Sequence, residues 1–303
     1  MLTHLRNPPS PPSRVVILGA AGFLASAIRC RLEAADVPVL ALPRTSLDLT
    51  CPNSGDRLTG LLRSDDSLLF VAAKAPVKNE SMLIENLQMG ANVSIALRNT
   101  PVKHLVYISS DAVYSDTNHP LTEEACAQPA SLHGIMHLAR EVMLANCYHG
   151  PTCILRPTLI YGAADPHNGY GPNRFCRLAS SGETIVLFGA GEERRDHVWV
   201  EDAAELATRV LSHQSFGILN IASGEILSFL DIAEQAKNLS RTPVQIKTVT
   251  RIGVMPHNGY RPFNVSETYT AFSDFQYASL KEKMPSLIQT ISSIGHQETR
   301  SRH

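Results

Sequence analysis

The chain has 303 residues, 44% of them hydrophobic and 18% charged, so it can bury a large core as one α/β unit or as a main domain with a smaller appendage. Its formal net charge of −1, with acids and bases mixed along the chain, argues against a nucleic-acid partner or an anionic-membrane surface. No apolar run approaches the roughly 18 residues of a membrane-spanning helix. The six cysteines are scattered, without a CxxC pair or zinc-ligand spacing, and are expected to be buried free thiols of a cytoplasmic protein.

The first half of the chain alternates between apolar strands and helices. The residues Val15–Leu18 predict a buried strand, which a glycine turn separates from a predicted helix at 25–34. A second predicted strand at 37–42 completes a βαβ unit, which is typical of a doubly wound parallel sheet. The alternation continues with predicted strands at 67–73, 103–110 and 152–162 and predicted helices at 81–99 and 131–147.

After residue 162 the pattern becomes irregular. A turn-rich loop precedes a predicted short helix at 174–182 and a hairpin-like stretch at 184–200 around Gly189 and Gly191. The remaining predicted elements are helices near 201–212 and 228–239, a strand near 243–249 and a polar loop at 250–262.

These elements predict an α/β protein with two parts. Residues 14–162 are expected to form a Rossmann-type doubly wound parallel sheet. Residues 163–290 are expected to form mainly a smaller C-terminal substrate-binding lobe, interleaved with the end of the sheet. Residues 1–13, which contain four prolines, and residues 291–303 are expected to be disordered tails.

The glycine turn after the first strand carries the first functional signal. Gly19 and Gly22 stand between the strand Val15–Leu18 and the predicted helix. Glycine suits this place because the backbone must turn tightly and approach a pyrophosphate that rests on helix N–H groups. The turn therefore predicts an NAD(P) site, the alternative being a glycine turn with a structural role alone.

The residues after the second strand bear on the type of cofactor. An acid there would bind the ribose 2′-hydroxyl, whereas an arginine would pair with a 2′-phosphate. The chain has Arg44 followed by Thr45 and Ser46, and no acid until Asp48. This favours NADP(H), and the alternative is a solvated surface arginine.

With these residues in place, the sequence resembles the extended short-chain dehydrogenase/reductase family, also called NAD-dependent epimerase/dehydratases, from about residue 14 to 285. The resemblance rests on the GxxGxxA turn and on the segments FVAA at 70–73, YISSDAVY at 107–114, RPTLIYG at 156–162 and RRDHVWVED at 194–202. The segments LPRTSLDLT and VAAKAP are most similar to the NADPH-using GDP-fucose synthase branch. The resemblance implies a six- or seven-stranded parallel sheet, a lobe for a nucleotide-linked sugar, and a homodimer formed through the helix at 131–147.

The resemblance also implies which residues hold the ligands. Those for the cofactor are Gly19, Gly22, Phe23, Leu24, Arg44, Asp48, Leu49, Ala72, Ala73, His137 and Pro157. Those for a nucleotide-diphosphate sugar are Lys74, Asp111, Asn173, Arg195 and Arg261. Asn173 matches a contact to the sugar or phosphate, and the two arginines match a pair that clamps the diphosphate with guanidinium forks. A surface role is the alternative for both arginines.

The chain departs from this family at its catalytic residues. The family uses a serine or threonine, a tyrosine that transfers the proton, and a lysine four residues later that lowers the tyrosine pKa. Ser110 matches the serine, but the tyrosine and lysine positions hold His133 and His137.

Three interpretations of this histidine pair stay open. In the first, His133 is the acid/base, since the pKa of an imidazole is about 6.5 without help from a lysine. His137 then bonds a ribose hydroxyl or positions His133. In the second, redox turnover is lost, and the protein is a cofactor-bound sensor, a scaffold or an enzyme of another mechanism. In the third, the two imidazoles bind a metal, but no third ligand stands out nearby, so no metal is expected.

Neighbouring residues narrow the reaction that the resemblance implies. The Asp-Glu pair of sugar 4,6-dehydratases is Asp111-Ala112 here, and the cysteine and histidine of 3,5-epimerisation correspond to Ala112 and Asn173. Both reactions are therefore disfavoured. What remains is hydride transfer at one sugar carbon, by 4-ketoreduction or 4-epimerisation, and Arg44 favours an NADPH-dependent reductase. A non-enzymatic regulator that binds NADP(H) and a nucleotide sugar is the competing hypothesis.

Overall fold

The structure, a computed structural model, describes the backbone of residues 1–300 and the side chains of residues 1–293. The strands are β1 (Thr3–His4), β2 (Val15–Leu18), β3 (Val39–Leu42), β4 (Ser67–Phe70), β5 (His104–Ile108), β6 (Thr152–Pro157), β7 (Leu159–Tyr161), β8 (Ile185–Phe188), β9 (Arg194–Trp199), β10 (Ser215–Ile221), β11 (Ile226–Ser228) and β12 (Ile246–Val249). The helices are α1 (Phe23–Ala34), α2 (Ser54–Thr59), α3 (Glu80–Asn99), α4 (Leu132–Cys147), α5 (Pro172–Ser180), α6 (Val200–His213), α7 (Phe229–Leu239), α8 (Ser266–Ala271) and α9 (Leu280–Arg300).

Seven strands form the central sheet, in the order β1-β10-β6-β5-β4-β2-β3. Every neighbouring pair is parallel except β1 with β10. Strands β2, β4 and β5 are buried along their whole length, because α1 and α6 cover one face of the sheet and α2, α3 and α4 cover the other. The predicted Rossmann-type parallel sheet is confirmed. The carboxyl ends of its strands share one edge, which is where doubly wound sheets bind ligands.

The C-terminal lobe contains two small sheets, β7-β9-β11 and β8-β12, which pack with α5, α7 and α9. The predicted hairpin at 184–200 is wrong, since β8 pairs with β12 whereas β9 pairs with β7 and β11. Gly189 and Gly191, with φ of 62° and 75°, turn the chain from one sheet into the other. The predicted strand at 152–162 divides at Thr158, whose Oγ1 donates to a carbonyl of β9, so that its second part joins the lobe.

The N-terminal segment differs from the predicted tail. Thr3–His4 pairs antiparallel with β10, where the sheet edge offers unpaired backbone groups. The His4 ring nitrogens bond the Ser215 Oγ at 2.8 Å and the Ala271 carbonyl at 2.9 Å. The expectation of disorder is therefore wrong for the start of residues 1–13.

The C-terminal segment is helical where a tail is predicted. Helix α9 extends from the lobe core, in which Leu287 and Ile288 are buried, as far as Arg300. The structure thus continues α9 into the stretch 291–303 that is expected to be a disordered tail, and residues 301–303 lie outside the described part of the chain. None of the described helices combines the length and the apolar character that a membrane span requires.

The cysteines are all free, as predicted, but their burial differs from the prediction. Cys153 and Cys176 are buried and Cys147 is half-buried. The other three, Cys30, Cys51 and Cys126, are exposed because they lie on a helix surface and in surface turns.

Candidate active site

The glycine turn lies between β2 and α1, at the carboxyl edge of the sheet. Gly19 has a φ of +81°, and a Cβ there would lie 2.7 Å from the Ala72 Cα, so glycine is what allows the two backbones to approach. Gly22 precedes α1 and provides no side-chain cap. The first N–H groups of the helix are therefore available to an external acceptor, which fits the pyrophosphate of a dinucleotide.

A cavity of about 260 Å³ opens beside this turn. Lys74, which the sequence assigned to the substrate, lines it too, and its Nζ is ion-paired with Glu85. Phe23 and Leu24 instead pack into the core under α1, and Pro157 closes β6. The residues predicted for the cofactor that the structure brings together around this cavity are Gly19, Gly22, Arg44, Asp48, Leu49, Ala72 and Ala73.

Arg44 and Asp48 form an ion pair at the mouth of this cavity. The Arg44 Nε donates to an Asp48 carboxylate oxygen at 3.0 Å, and 64% of the arginine side chain is exposed. Hydrogen bonds from Thr50, and then the Arg44 guanidinium, lower the pKa of Asp48 to about 2. Asp48 is therefore ionised at neutral pH, and Arg44 keeps nitrogen atoms that face solvent.

Ser110 lies where β5 ends, in the sequence Ser-Asp-Ala. Its Oγ accepts the Ala112 N–H at 3.1 Å and lies 3.3 Å from the Asp111 carboxylate, so the hydroxyl starts the turn Asp111–Val113. Helix α4 abuts this turn, because a Cβ at Gly134 would lie only 2.0 Å from the Ala112 carbonyl oxygen. The chain thus brings the predicted serine and the start of the histidine helix together.

His133 lines a second cavity, of about 250 Å³, at the boundary between the sheet and the lobe. Asn173 lines it as well, but its amide is engaged by the Gly162 N–H (2.9 Å) and by Asp165 (2.6 Å), so it shapes the cavity wall. Tyr161 and His197 also line it and carry buried polar atoms without partners among the described residues, as does His133 at Nδ1. A ligand with hydroxyl groups would satisfy such atoms.

The two histidine rings meet edge to face, with centroids 4.7 Å apart. Burial lowers the pKa of His133, and Asp111 opposes this shift. Burial lowers the pKa of His137 further, and neighbouring His133 and Arg140 add to the effect. Both imidazoles are therefore neutral at pH 7. His137 is held by the Tyr107 hydroxyl, 2.8 Å from its Nδ1.

Arg195, the first predicted phosphate ligand, lies on β9 with most of its side chain buried. Its Nη1 is 3.4 Å from Glu193, and its Nε has no partner among the described residues. Arg251 lies on the other side of Glu193, at 3.1 Å, and its Nε is also without such a partner. The two guanidinium groups share one buried carboxylate, which leaves hydrogen-bond donors for an anion.

Arg261, the second predicted phosphate ligand, is engaged within the protein and is 1% exposed. Its Nε donates to the Asp111 carboxylate and its Nη1 to Asp116, both at 2.9 Å. Its Nη2 donates to the Asp111 and Tyr114 carbonyls. Arg261 therefore anchors the segment after Ser110, and each of its nitrogens is already engaged within the protein, so it does not form a free clamp with Arg195.

Sequence reasoning missed four side chains that the structure places at these sites. Arg251 lies in the stretch predicted only as a polar loop, and His197 lies within the RRDHVWVED segment. Arg140 follows His137 by three residues, and this spacing on one helix face was the available signal. Tyr107 had none, because a strand residue gives no indication of its cross-element partner.

Metal-ligand side chains do not assemble here. Among the residues with described side chains, no three or more His, Cys, Asp or Glu groups could hold a metal ion together. The metal interpretation of His133 and His137 therefore has no set of ligands.

Similarity to known proteins covers most of the chain. The model of the NAD dependent epimerase/dehydratase family matches residues 15–222. The chain is 28% identical over 229 residues to a UDP-glucose 4-epimerase of Mycolicibacterium smegmatis, covering 65% of this chain and 72% of the relative. It is 25% identical over 244 residues to a GDP-L-fucose synthase of Sinorhizobium fredii, covering 73% and 77%.

Solved structures share the fold over almost the whole chain. RMD from Pseudomonas aeruginosa, complexed with NADPH, superposes with a TM-score of 0.80 at 20% identity, covering 93% of this chain and 99% of the other. A UDP-glucose 4-epimerase of Thermus thermophilus, in complex with NAD, gives 0.78 at 21% identity, covering 92% and 98%. With its family match spanning more than half of its length, the chain belongs to the NAD-dependent epimerase/dehydratase family.

Proposed function

We propose that the protein binds NAD(P) and a nucleotide-diphosphate sugar and transfers hydride at one sugar carbon, as a 4-ketoreductase or 4-epimerase does, with His133 as the acid/base. The observation that carries this proposal is that His133, at the position of the family tyrosine, lines a cavity at the boundary of sheet and lobe. Relatives named UDP-glucose 4-epimerase, GDP-L-fucose synthase and dTDP-4-keto-6-deoxy-D-glucose reductase support the substrate class.

The cofactor would lie along the glycine turn. Gly19 and Gly22 leave room for the pyrophosphate at the start of α1, and Arg44 and Asp48 stand at the mouth of the neighbouring cavity. Bound NAD(P) supplies or accepts the hydride. We also propose NADP(H) as the preferred form, because the exposed Arg44 guanidinium can pair with a 2′-phosphate.

His133 would move the proton that accompanies the hydride. In reduction, protonated His133 gives its proton to the carbonyl oxygen while the carbon receives hydride. In oxidation, neutral His133 removes the hydroxyl proton while the carbon loses hydride. Because burial lowers its pKa, the neutral form predominates at pH 7, so the base role needs no further activation. Ser110 would hydrogen-bond the same oxygen, and Asp111 would favour the protonated ring.

The diphosphate would be held by Arg195, with Arg251 as its second arginine in place of Arg261. Arg195 and Arg251 flank Glu193 and keep unpartnered Nε atoms, whereas every nitrogen of Arg261 already donates to Asp111, Asp116 or a carbonyl. A phosphate oxygen accepts from such guanidinium forks more favourably than from water-facing lysines, because the donors are preorganised. Glu193 would then set the distance between the two guanidinium groups.

A regulator that binds the same ligands without turnover is the second candidate. The observation in its favour is that neither the tyrosine nor the lysine of the family is present and that both replacing histidines are uncharged at pH 7. The two candidates share the ligands and differ in whether the proton moves.

The decisive experiment combines ligand identification with turnover. Mass spectrometry of the purified protein, alone and mixed with nucleotide sugars, is expected to detect NADP(H) and a nucleotide-diphosphate sugar. NADPH oxidation with nucleotide 4-ketosugars and epimerisation of UDP- and GDP-sugars are then assayed. Turnover in either assay supports the enzyme, binding of both ligands without turnover supports the regulator, and binding of neither ligand contradicts both candidates.

Replacing Arg44 by serine is expected to weaken NADP(H) binding by about 10–100-fold, the loss of one or two charge-assisted hydrogen bonds, and to leave NAD(H) binding within about threefold. Calorimetric titration of both dinucleotides measures this. Arg63→Ser, at an exposed position outside the cavity, is the matched control. Equal loss for the two dinucleotides would contradict the proposed preference.

A homodimer through α3 and α4 is also proposed. Ile84 on α3 and Ile135 and Val142 on α4 are 65%, 43% and 53% exposed, which is high for large apolar side chains on neighbouring helices. A second copy would cover them.

Val142→Asp is expected to give a monomer in analytical ultracentrifugation at micromolar concentration, because it would bury a charge in an apolar interface. Ile252→Asp, at a residue 96% exposed in a distant loop, should leave the mass unchanged; a wild-type monomer would refute the dimer.

A further inference from the structure

A buried contact joins His137 to the central sheet. The Tyr107 hydroxyl on β5 lies 2.8 Å from the His137 Nδ1, and the two side chains are 1% and 5% exposed. Neither Tyr107 nor His137 lines the cavity beside the glycine turn. The hydrogen bond between them can therefore affect a ligand only through the other nitrogen of the His137 ring, Nε2.

Arg140, on the same face of α4 as His137, places a positive charge next to this contact. It is fully buried, and its guanidinium donates to the Asn86 carbonyl at 2.7 and 2.9 Å and to the Ala72 carbonyl at 2.8 Å. It also lies over the Phe70 ring at 4.9 Å and close to the Tyr107 hydroxyl. No carboxylate pairs with it among the described side chains, so it remains a full cation beside His137.

The hydrogen-bond roles in this group follow from the chemistry of its members. Arg140 can only donate. Tyr107 keeps its proton, because burial raises its pKa. Among the described residues, the only hydrogen-bond acceptor given for the Tyr107 proton is His137 Nδ1, since Arg140 can only donate to the hydroxyl oxygen. If Nδ1 carried a proton and donated, the tyrosine proton would be left buried without an acceptor, at a cost of about 1–3 kcal/mol.

The same neighbours keep the ring uncharged. A second proton would place an imidazolium next to His133 and Arg140 in a buried site, and these groups and the burial lower the His137 pKa well below its usual value. The Glu141 carboxylate is engaged by Ser109 and by Arg156, at 3.0 and 2.6 Å, and does not offset this charge. His137 is thus a neutral ring whose Nδ1 must accept.

We propose that Tyr107, supported by Arg140, is a positioning residue that fixes His137 as the neutral Nε2–H tautomer. A hydrogen-bond donor then stands at the position of the family lysine, although the residue is not cationic. The inference rests on the proposed function for its role, since the Nε2–H would serve the bound cofactor ribose or orient His133. It follows the rule that the partner of one ring nitrogen sets what the other can do.

The test reads the tautomer directly. Protein labelled with 15N in its histidines is examined by long-range 1H–15N NMR from pH 5 to 9, and the His137 signals are those lost in His137→Asn. We expect an unprotonated Nδ1 and a protonated Nε2 with no titration over this range. Tyr107→Phe, which keeps the ring packing, is expected to give a mixture of the two tautomers and to weaken NADPH binding by about 2–10-fold, one hydrogen bond's worth.

Tyr148→Phe is the matched control, because this buried tyrosine donates to the Val102 carbonyl at 2.9 Å away from the histidines. It should leave the His137 signals unchanged. A protonated Nδ1 in the wild type, or a Tyr107→Phe spectrum identical to wild type, would overturn the inference. The spectrum does not depend on turnover, so an inactive protein with the expected tautomer would refute the proposed enzyme and leave this inference standing.

Discussion

Replacing His133 by phenylalanine is expected to lower kcat by about 10²–10⁴-fold, the range that one general acid or base contributes. Phenylalanine fills the ring volume in the cavity wall but can neither give nor take a proton. NADP(H) affinity should stay within about threefold, since His133 does not line the cavity of the glycine turn and forms no hydrogen bond there. Steady-state kinetics and calorimetric titration measure the two quantities on one preparation.

His149→Phe is the control for this variant, because His149 is exposed just past the end of α4. It is expected to match the wild type in kcat and in affinity. A His133→Phe protein with wild-type kcat would show that another group transfers the proton, and the assignment of His133 would fail.

The pH dependence of the wild type follows from the lowered pKa of His133. Ketoreduction needs the protonated ring, so its kcat is expected to fall as pH rises through a pKa below the usual 6.5. The reverse oxidation needs the neutral ring, so its rate should rise through the same pKa and level off above it. In His133→Phe this inflection should vanish in both directions, a result that a purely structural role would not produce.

Arg195→Met is expected to weaken binding of a nucleotide-diphosphate sugar by about 30–1,000-fold, because a buried guanidinium that pairs with phosphate contributes about 2–4 kcal/mol. Arg251→Met should act in the same direction. The loss of binding free energy in the double variant should be smaller than the sum of the two single losses, since both arginines flank Glu193. In each single variant the remaining arginine pairs with that carboxylate alone and is less available to the phosphate. Calorimetry with UDP-glucose and GDP-mannose, in the presence of NADPH, measures these losses.

Two further variants give this prediction its contrast. Arg194→Met, at the exposed neighbouring position on β9, should leave affinity unchanged. Arg261→Met should instead lower the unfolding free energy by about 3–5 kcal/mol, because it leaves Asp111 buried without its partner. If Arg261→Met folds normally and alone abolishes nucleotide-sugar binding, the assignment of the clamp to Arg195 and Arg251 is wrong.

The cofactor side of the molecule could be predicted from local sequence to a large extent. A strand, a glycine turn and a helix follow one another within 20 residues, and each has its own signature in residue type and spacing. The carboxyl ends of parallel strands must share one edge. Arg44, Asp48, Ala72 and Ala73, which all lie in the segments that follow β3 and β4, therefore meet the glycine turn in a single cavity.

The lobe and the substrate side were predicted less well, because their geometry depends on contacts between distant segments. The stretch at 184–200 has the alternation of a hairpin, yet its two strands, β8 and β9, do not pair with each other. Strand β8 pairs with β12, and β9 pairs with β7 and β11, all of which are distant along the chain. Thr3–His4 has too few residues to show any strand pattern, and only the free edge of β10 makes it a strand.

The sequence by itself determined the parallel sheet, the glycine turn and the two histidines that replace the tyrosine and lysine, since these depend on residue type and on spacing along one segment. Tertiary structure alone decided which charged groups are free and which are already paired. Arg261 is taken by Asp111, 150 residues away, and the His137 ring is held by Tyr107, from another element. The physical reason is that a hydrogen bond or ion pair is set by distance and direction in space, to which separation along the chain gives no guide.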